Sequence, residues 1–398
     1  FLIYNNTLMT YYMLPKTPQN ICDHINIEFI EEEPETIISF SLSNYLSNVK
    51  EKITNVEKDW STYKKYTNPY EFIHTVIPGK HKAISKCKPL SRSYFKMHEI
   101  LHIFNLHVDP EPIKSFHLAE GPGGFIESLL HIRKNSKDTY YGMTIIDENE
   151  NDYNIPSWKK SRTFLKNNPN VKIEYGATQN GDLLNIDNFS HCYDKYKGSM
   201  NIITGDGGFD FSENFNNQEN QIVKLLFGQI CYALIMQKKG GSFVLKIFDC
   251  FLQHSIDLLY LLTAFYSKVY IVKPHTSRYA NSEKYIVCKN FNFTGNVYDL
   301  LYEPFKSTLN NNKNIKRFLD IDISSYFLNK FQEYNAIFGQ QQLENIAQTL
   351  YLIYDQDSKS EKIINYVKNN IIKCIQWCNK YNVETNIIPG VLPIHTTS

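Results

Sequence analysis

His117-Leu-Ala-Glu-Gly-Pro-Gly-Gly-Phe-Ile-Glu127 decides the fold, because an apolar run breaks into a glycine turn and reopens as an amphipathic helix. A strand feeding a helix through such a turn is the opening unit of a Rossmann-type pocket. Gly121, Gly123 and Gly124 lack a Cβ, so the backbone can turn sharply and approach a ligand, while the next helix offers free N–H groups at its start. Turns of this kind serve nucleotides, phosphates and S-adenosylmethionine alike, so the chemistry has to be read further along the chain.

Outward from the turn, strand and helix patterns alternate. The apolar spacing predicts strands at Ser115–Ala119, Thr139–Ile145, Met200–Gly205, Ser242–Ile247, Val269–Lys273 and Tyr285–Lys289. Helices are predicted at Gly124–Arg133, Glu219–Gln237 and Gln253–Tyr266. This alternation implies an α/β fold: a Rossmann-like, mostly parallel sheet with helices on both faces, over residues 86–296. Residues 1–85 read as an accessory region with an acidic stretch at Glu31–Glu35 and a helical pattern from about Leu42 to Tyr66. Residues 297–398 read as a helical region without strands, with Asn310-Asn-Asn-Lys-Asn314 as an exposed linker. Its helices are predicted at Ser324–Tyr354, interrupted near Gly339, and at Ser360–Tyr381.

Composition narrows the function classes. With 398 residues, 42% hydrophobic, the chain can bury a sizeable core and still carry appendages. A net charge of +1 excludes a global pull toward polyanions, so a nucleic-acid partner has to be held by a local patch. The eight cysteines show no Cys-x-x-Cys spacing, and Cys374 and Cys378 lack the His or Cys neighbours that zinc needs. A reducing compartment and no metal site are expected. No apolar run reaches the roughly 20 residues of a membrane helix. The opening Phe1-Leu-Ile-Tyr4 lacks the basic start of a secretory signal, so a cytoplasmic protein is expected. The missing initiator Met points to a trimmed or partial chain.

Ligands of open α/β sheets bind beyond the carboxyl ends of the strands, so the residues found there form a set. Asp206 follows the strand Asn201–Gly205, Lys246 closes Ser242–Leu245, Glu283 precedes the last strand, and Lys96 lies on a helix starting near Ser91. Lys246 sits inside Phe243-Val-Leu-Lys-Ile-Phe248, where an unpaired ammonium is costly to bury; a carboxylate partner is expected.

These residues carry a family resemblance. Ser91-Arg-Ser-Tyr-Phe-Lys96, Glu120-Gly-Pro-Gly-Gly-Phe125, Gly205-Asp-Gly-Gly208, Gly240-Gly-Ser-Phe-Val-Leu-Lys246 and Lys273-Pro-His-Thr-Ser-Arg-Tyr-Ala-Asn-Ser-Glu283 resemble the FtsJ (RrmJ-like) S-adenosylmethionine-dependent RNA ribose 2′-O-methyltransferases. Within that family the chain looks most like the mRNA cap branch of eukaryotes and large DNA viruses. The resemblance implies an antiparallel last strand and a Lys-Asp-Lys-Glu catalytic tetrad at Lys96, Asp206, Lys246 and Glu283. Lys246 would be the base or steering group for the 2′-hydroxyl, its pKa lowered by Lys96 and partial burial, with the two carboxylates orienting the ammonium groups. S-adenosylmethionine would be held by Glu120, Gly121, Pro122, Gly123, Gly124, Phe125, Asp182 and Asp206, with Asp147 as a ribose contact. His117 departs from the Asp common at its position in the family.

The RNA, read as a capped mRNA 5′ end, is expected at Lys80, Lys82, Arg92, Ser277, Arg278, Asn281 and Ser282. Lys80-His-Lys82, Lys86, Lys88, Arg92 and Lys96 form a run without acidic residues, suited to phosphates. Modification is expected at the first transcribed nucleotide; a second-nucleotide, ribosomal or other RNA target stays open, as does a catalytically inactive binding protein. The terminal regions are candidate docking sites for other capping or transcription proteins. A methyltransferase for small molecules or proteins would not need the tetrad, and a dinucleotide-dependent dehydrogenase would want Gly-x-Gly-x-x-Gly instead of Gly-Pro-Gly-Gly. A viral source would place the protein in a virion or viral factory, a cellular one in cytoplasm or nucleus.

Overall fold

The computed structural model describes residues 11–17, 19–146, 157–208, 217–355 and 357–388. Its strands are β1 (Tyr11–Met13), β2 (Ile25–Ile30), β3 (Lys114–Leu118), β4 (Thr139–Met143), β5 (Val171–Ile173), β6 (Met200–Gly205), β7 (Gln237–Ile247), β8 (Tyr266–Val272), β9 (Lys284–Phe291) and β10 (Asn314–Leu319). The helices are α1 (Phe40–Thr54), α2 (Glu57–Thr67), α3 (Ser93–Ile103), α4 (Gly124–Arg133), α5 (Arg162–Asn167), α6 (Ile186–Tyr196), α7 (Gln218–Met236), α8 (Gln253–Phe265), α9 (Val297–Asn310), α10 (Ser325–Tyr354) and α11 (Lys359–Lys380).

Eight strands form one sheet in the order β1-β8-β9-β7-β6-β3-β4-β5. Strands β7, β6, β3, β4 and β5 run parallel, whereas β9 is antiparallel to both β7 and β8, between which it inserts. Successive side chains of a strand point to opposite faces, and the core divides accordingly. Ile202 and Val244 pack with α3 and α4 residues such as Leu101, Phe125 and Leu129, while Ile203, Phe243 and Leu245 pack with Phe189, Phe227 and Leu258 of α6, α7 and α8.

The segments flanking this sheet are built into it. Strand β1 pairs antiparallel with β8, so residues before 85 supply an edge of the main sheet. The reading of residues beyond 297 as strand-free is corrected: β10 pairs antiparallel with β2 in a second sheet, and Asn310–Asn314 connects α9 to it. Asp257 of α8 fixes this strand by accepting from the Phe318 and Leu319 N–H groups at 2.7 and 3.2 Å. The expected break in the long C-terminal helix is absent, since α10 runs unbroken past Gly339. There a Cβ would lie 2.6 Å from the Leu42 side chain, so the glycine lets α1 approach. The helical pattern predicted from Leu42 to Tyr66 divides into α1 and α2.

Candidate active site

The register of the parallel strands brings the turn and the tetrad together. Leu118 of β3 pairs with Gly205 of β6, and Gly205 pairs with Leu245 of β7, so Glu120, Asp206 and Lys246 leave adjacent strand ends. The Asp206 N–H donates to Leu118 O at 3.1 Å, fixing the loop after β6 to the start of the turn. Lys246 pairs with Tyr285 on β9, which sets Glu283 beside the same edge. Lys96 reaches in from α3.

Two lysine–carboxylate pairs result. Lys96 Nζ lies 2.7 Å from Glu283 Oε1 and donates to Oε2 at 2.8 Å. Lys246 Nζ donates to the Asp206 carbonyl at 2.7 Å and stands 3.1 Å from Asp206 Oδ1, an ion contact too oblique to be a hydrogen bond. Glu283 Oε1 also accepts from Ser277 Oγ and Tyr285 Oη at 3.1 Å each.

Electrostatics make the two lysines unequal. Burial opposes both charges. For Lys96 burial wins, despite Glu283, and its pKa is lowered. For Lys246 the burial cost is outweighed by Asp206 and Glu283, so its pKa is raised. The expectation that Lys96 and burial would lower the pKa of Lys246 is thereby corrected: two carboxylates stabilise that ammonium more than one neighbouring cation destabilises it. Burial alone would lift the Glu283 carboxyl, but Lys96 and Lys246 hold it far below the usual range.

At the glycine turn, Glu120 closes the loop on itself. Its Oε1 accepts from the Phe125 N–H at 2.5 Å at the start of α4. Burial, then the nearby Asp206, push its pKa well above the ordinary carboxylate range. Glu120 Oε2 and Asp206 Oδ1 are buried acceptors without a hydrogen-bond partner among the described residues. A ligand carrying an ammonium brings the hydrogen-bond donor that such oxygens lack, so these residues fit S-adenosylmethionine. Gly123 adopts φ +108°, open to glycine, whereas a Cβ at Gly121 would lie 2.7 Å from Ser157 O. The Pro122 carbonyl accepts from Ser161 Oγ, and the Phe125 ring is fully buried in the core against Tyr285.

Asp182 follows Gly181, whose φ of +66° and approach to Thr144 O carry the loop against the end of β4. Its Oδ1 accepts from Leu184 N at 2.9 Å, a turn-closing bond. Asp147 and Phe209, which follows the Asp-Gly-Gly turn, lie outside the described residues. His117 is a core residue: fully buried, it bonds Ser115 and Thr204 hydroxyls at 2.8 Å, and burial holds its pKa down at about 3.

The residues expected to meet RNA divide. A cleft of about 410 Å³ opens beside the tetrad, bounded by Arg278, Ser282 and Glu283 on one side and by Trp60 and Lys64 of α2 on the other. Lys80 and Lys82 are exposed on a turn before α3 and do not line it. Arg92 directly precedes α3. Arg278 is locked by Glu71, donating from Nε at 2.9 Å and Nη2 at 2.6 Å. Ser277 is fully buried on Glu283, and Ser282 donates to Gln218 Oε1 at 2.8 Å. Asn281 has an exposed side chain, while its carbonyl accepts from Lys273 Nζ at 2.6 Å.

Three contributors escaped the sequence reading. Lys273 is buried and donates to the Asn281 and Glu283 carbonyls at 2.6 and 2.8 Å, which pins the loop carrying the tetrad acid. Burial, then Lys284, lower its pKa to about 7. Its place at the end of an apolar strand is the same signal that marked Lys246. Glu99 of α3 accepts from the His275 and Thr276 N–H groups and from Trp377 Nε1 of α11, tying that loop to the C-terminal region. Glu71 is the third. Among the described residues no group of three or more His, Cys, Asp or Glu could hold a metal ion, and no helix is long and apolar enough to cross a membrane.

Residues 89–291, about half of the chain, match the family described as FtsJ-like methyltransferase, whose members use S-adenosylmethionine as methyl donor. Among curated proteins, the chain is 29% identical over 67% of its length to the Drosophila melanogaster "Cap-specific mRNA (nucleoside-2'-O-)-methyltransferase 2", covering 39% of that protein. It is 28% identical over 92% of its length to the Pongo abelii protein of the same name, covering 47% of it. The chain thus spans about half or less of the length of these eukaryotic relatives. Among solved structures, a ribosomal RNA methyltransferase from Plasmodium falciparum aligns with 50% of this chain and 97% of its own at 19% identity and a TM-score of 0.37. By the match across its glycine turn, strand ends and tetrad, the chain belongs to the FtsJ-like methyltransferase family.

Proposed function

We propose that the chain transfers a methyl group from S-adenosylmethionine to a ribose 2′-hydroxyl of mRNA next to the cap, as the names of its relatives describe for those proteins. The observation that carries this reading is the convergence of the Lys96–Glu283 and Lys246–Asp206 pairs beside the glycine turn. The family's methyl donor, once bound, supplies a methyl group already activated by positive sulfur. The protein then has to place a weakly acidic hydroxyl in line with it and ease the loss of its proton. Lys246, an ammonium at rest, donates a hydrogen bond to the 2′-oxygen and stabilises the negative charge that grows there as the proton leaves. Lys96, whose charge burial disfavours, is the more readily deprotonated of the two lysines and in its neutral form accepts the proton that the 2′-hydroxyl loses. Glu283 and Asp206 hold both amines in place. Tetrad residues Lys96, Asp206, Lys246 and Glu283 act together, with Glu120, Asp182 and the Gly121–Gly124 turn on the methyl-donor side.

The test is methyl transfer to capped and uncapped RNA, with nuclease digestion and mass spectrometry to identify the modified nucleotide; the first transcribed nucleotide is expected. Lys246→Ala should lower the rate by about 10²–10⁴-fold while leaving methyl-donor affinity within a few fold. Unchanged turnover in that variant refutes the tetrad assignment. Equal turnover on capped and uncapped RNA refutes the cap assignment.

A further inference from the structure

The cleft beside Glu283 gathers more positive charge from its two sides than the nearby carboxylates balance. Lys64 of α2 and Arg278 line this cleft together. Arg278 gives Nε and Nη2 to Glu71, leaving Nη1 without a hydrogen bond among the described residues. Glu71 is itself fully buried and fixed by Asn68 Nδ2 at 2.7 Å and Thr75 Oγ1 at 3.1 Å, so it orients the guanidinium and does not swing. Arg92 stands four residues before Lys96 and faces the same charges, Arg278, Glu71 and Glu283. Neither the Arg92 guanidinium nor the Lys64 ammonium donates a hydrogen bond to any described residue. Glu283 is already taken by Lys96.

The cost of this crowding shows in the groups themselves. Burial, then Arg278, lower the pKa of both Lys64 and Arg92. Half-buried cations that repel one another, with donors unused, fit an anion bearing several acceptor oxygens. The exposed carboxylate of Glu57, at the far end of α2, lines the same cleft and leaves the cations in excess.

We infer that Lys64 and Arg278, which line the cleft, form a phosphate-binding site with Arg92 beside them, oriented by Glu71, which holds a phosphate of the RNA while the ribose sits at the tetrad. The inference rests on the proposed RNA methyltransferase reading and adds to it two residues, Lys64 and Glu71, that lie outside the matched span of 89–291. It makes α2 part of the RNA site.

The test is fluorescence anisotropy of full-chain protein with a 3′-labelled RNA, capped or ending in a 5′-hydroxyl, across a salt series. Lys64→Ala and Arg92→Ala should each weaken binding about 3–10-fold and lower the slope of log affinity against log salt by about 1, whereas Lys64→Arg restores both. Lys137→Ala, an exposed lysine elsewhere, should change neither. Losses equal on both RNAs assign the site to a phosphate of the RNA body, and losses confined to the capped RNA assign it to the cap's phosphate bridge. Thermal melts check folding; if Arg92→Ala fails to fold, Lys64→Ala and Lys64→Glu decide. Unchanged affinity and slope on both RNAs for the Lys64 variants overturn the inference, and wild-type methyl transfer in the same preparation shows that the methyltransferase reading survives that failure. A wild-type protein that binds RNA with the expected slopes but transfers no methyl group refutes the methyltransferase reading and leaves the phosphate site standing.

Discussion

At Glu71 a single carboxylate acts as a hinge pin. Burial would raise its pKa, but the hydrogen bonds and charge of Arg278 bring it down to about 2 from an ordinary 4.5. A carboxylate depressed in the folded state contributes its stability above pH 4.5 and loses it as the pH falls toward 2; the shift corresponds to about 3 kcal/mol. Glu71→Gln should therefore destabilise the protein most at neutral pH, and denaturation curves of wild type and variant should converge between pH 4.5 and 2. A constant gap across that range would refute the ion pair as the source. Lys246 was legible in the sequence because an ammonium inside an apolar strand needs a reason. Glu71 was not: its partner Arg278 lies 207 residues away, and nothing local to Tyr70-Glu-Phe72 announces a charge aimed at the tetrad loop.

At the scale of elements, strand positions and strand ends were readable where apolar runs met glycine turns, and unreadable where tertiary contacts created the element. Strand β10 follows an Asn-rich run and gains its place from β2 and from Asp257, neither of which its own sequence names. Gly339 weakens a helix in isolation, yet α10 continues because Leu42 fills the space a side chain would take. The loop at Gly181 shows the opposite demand. Its φ of +66° and a hypothetical Cβ only 2.0 Å from Thr144 O leave no room for alanine. Gly181→Ala is expected to lose about 2–4 kcal/mol in urea unfolding and to weaken methyl-donor affinity by moving Asp182; a variant as stable as wild type would show that the loop does not need glycine there.

For the whole molecule, the sequence divides into three regions more cleanly than the packing does. Trp377 of α11 donates to Glu99 of α3 at 3.1 Å, Arg278 reaches back to Glu71, and α10 covers α1 and α2. The family core is therefore braced from both flanks, and the cleft beside Glu283 has walls from residues on either side of residue 89. Strand β1 is the smallest of these braces, three residues pairing Tyr11–Met13 with Tyr270–Val272 of β8. Its consequence is colloidal. Without it, β8 would offer the unpaired N–H and C=O groups of an apolar strand, Tyr266-Ser-Lys-Val-Tyr-Ile-Val272, as a template for another chain. A chain starting at Leu14 should keep most of its helical circular dichroism yet self-associate more than the full chain in light scattering as concentration rises, while Tyr270→Lys in that shortened chain should suppress the added association.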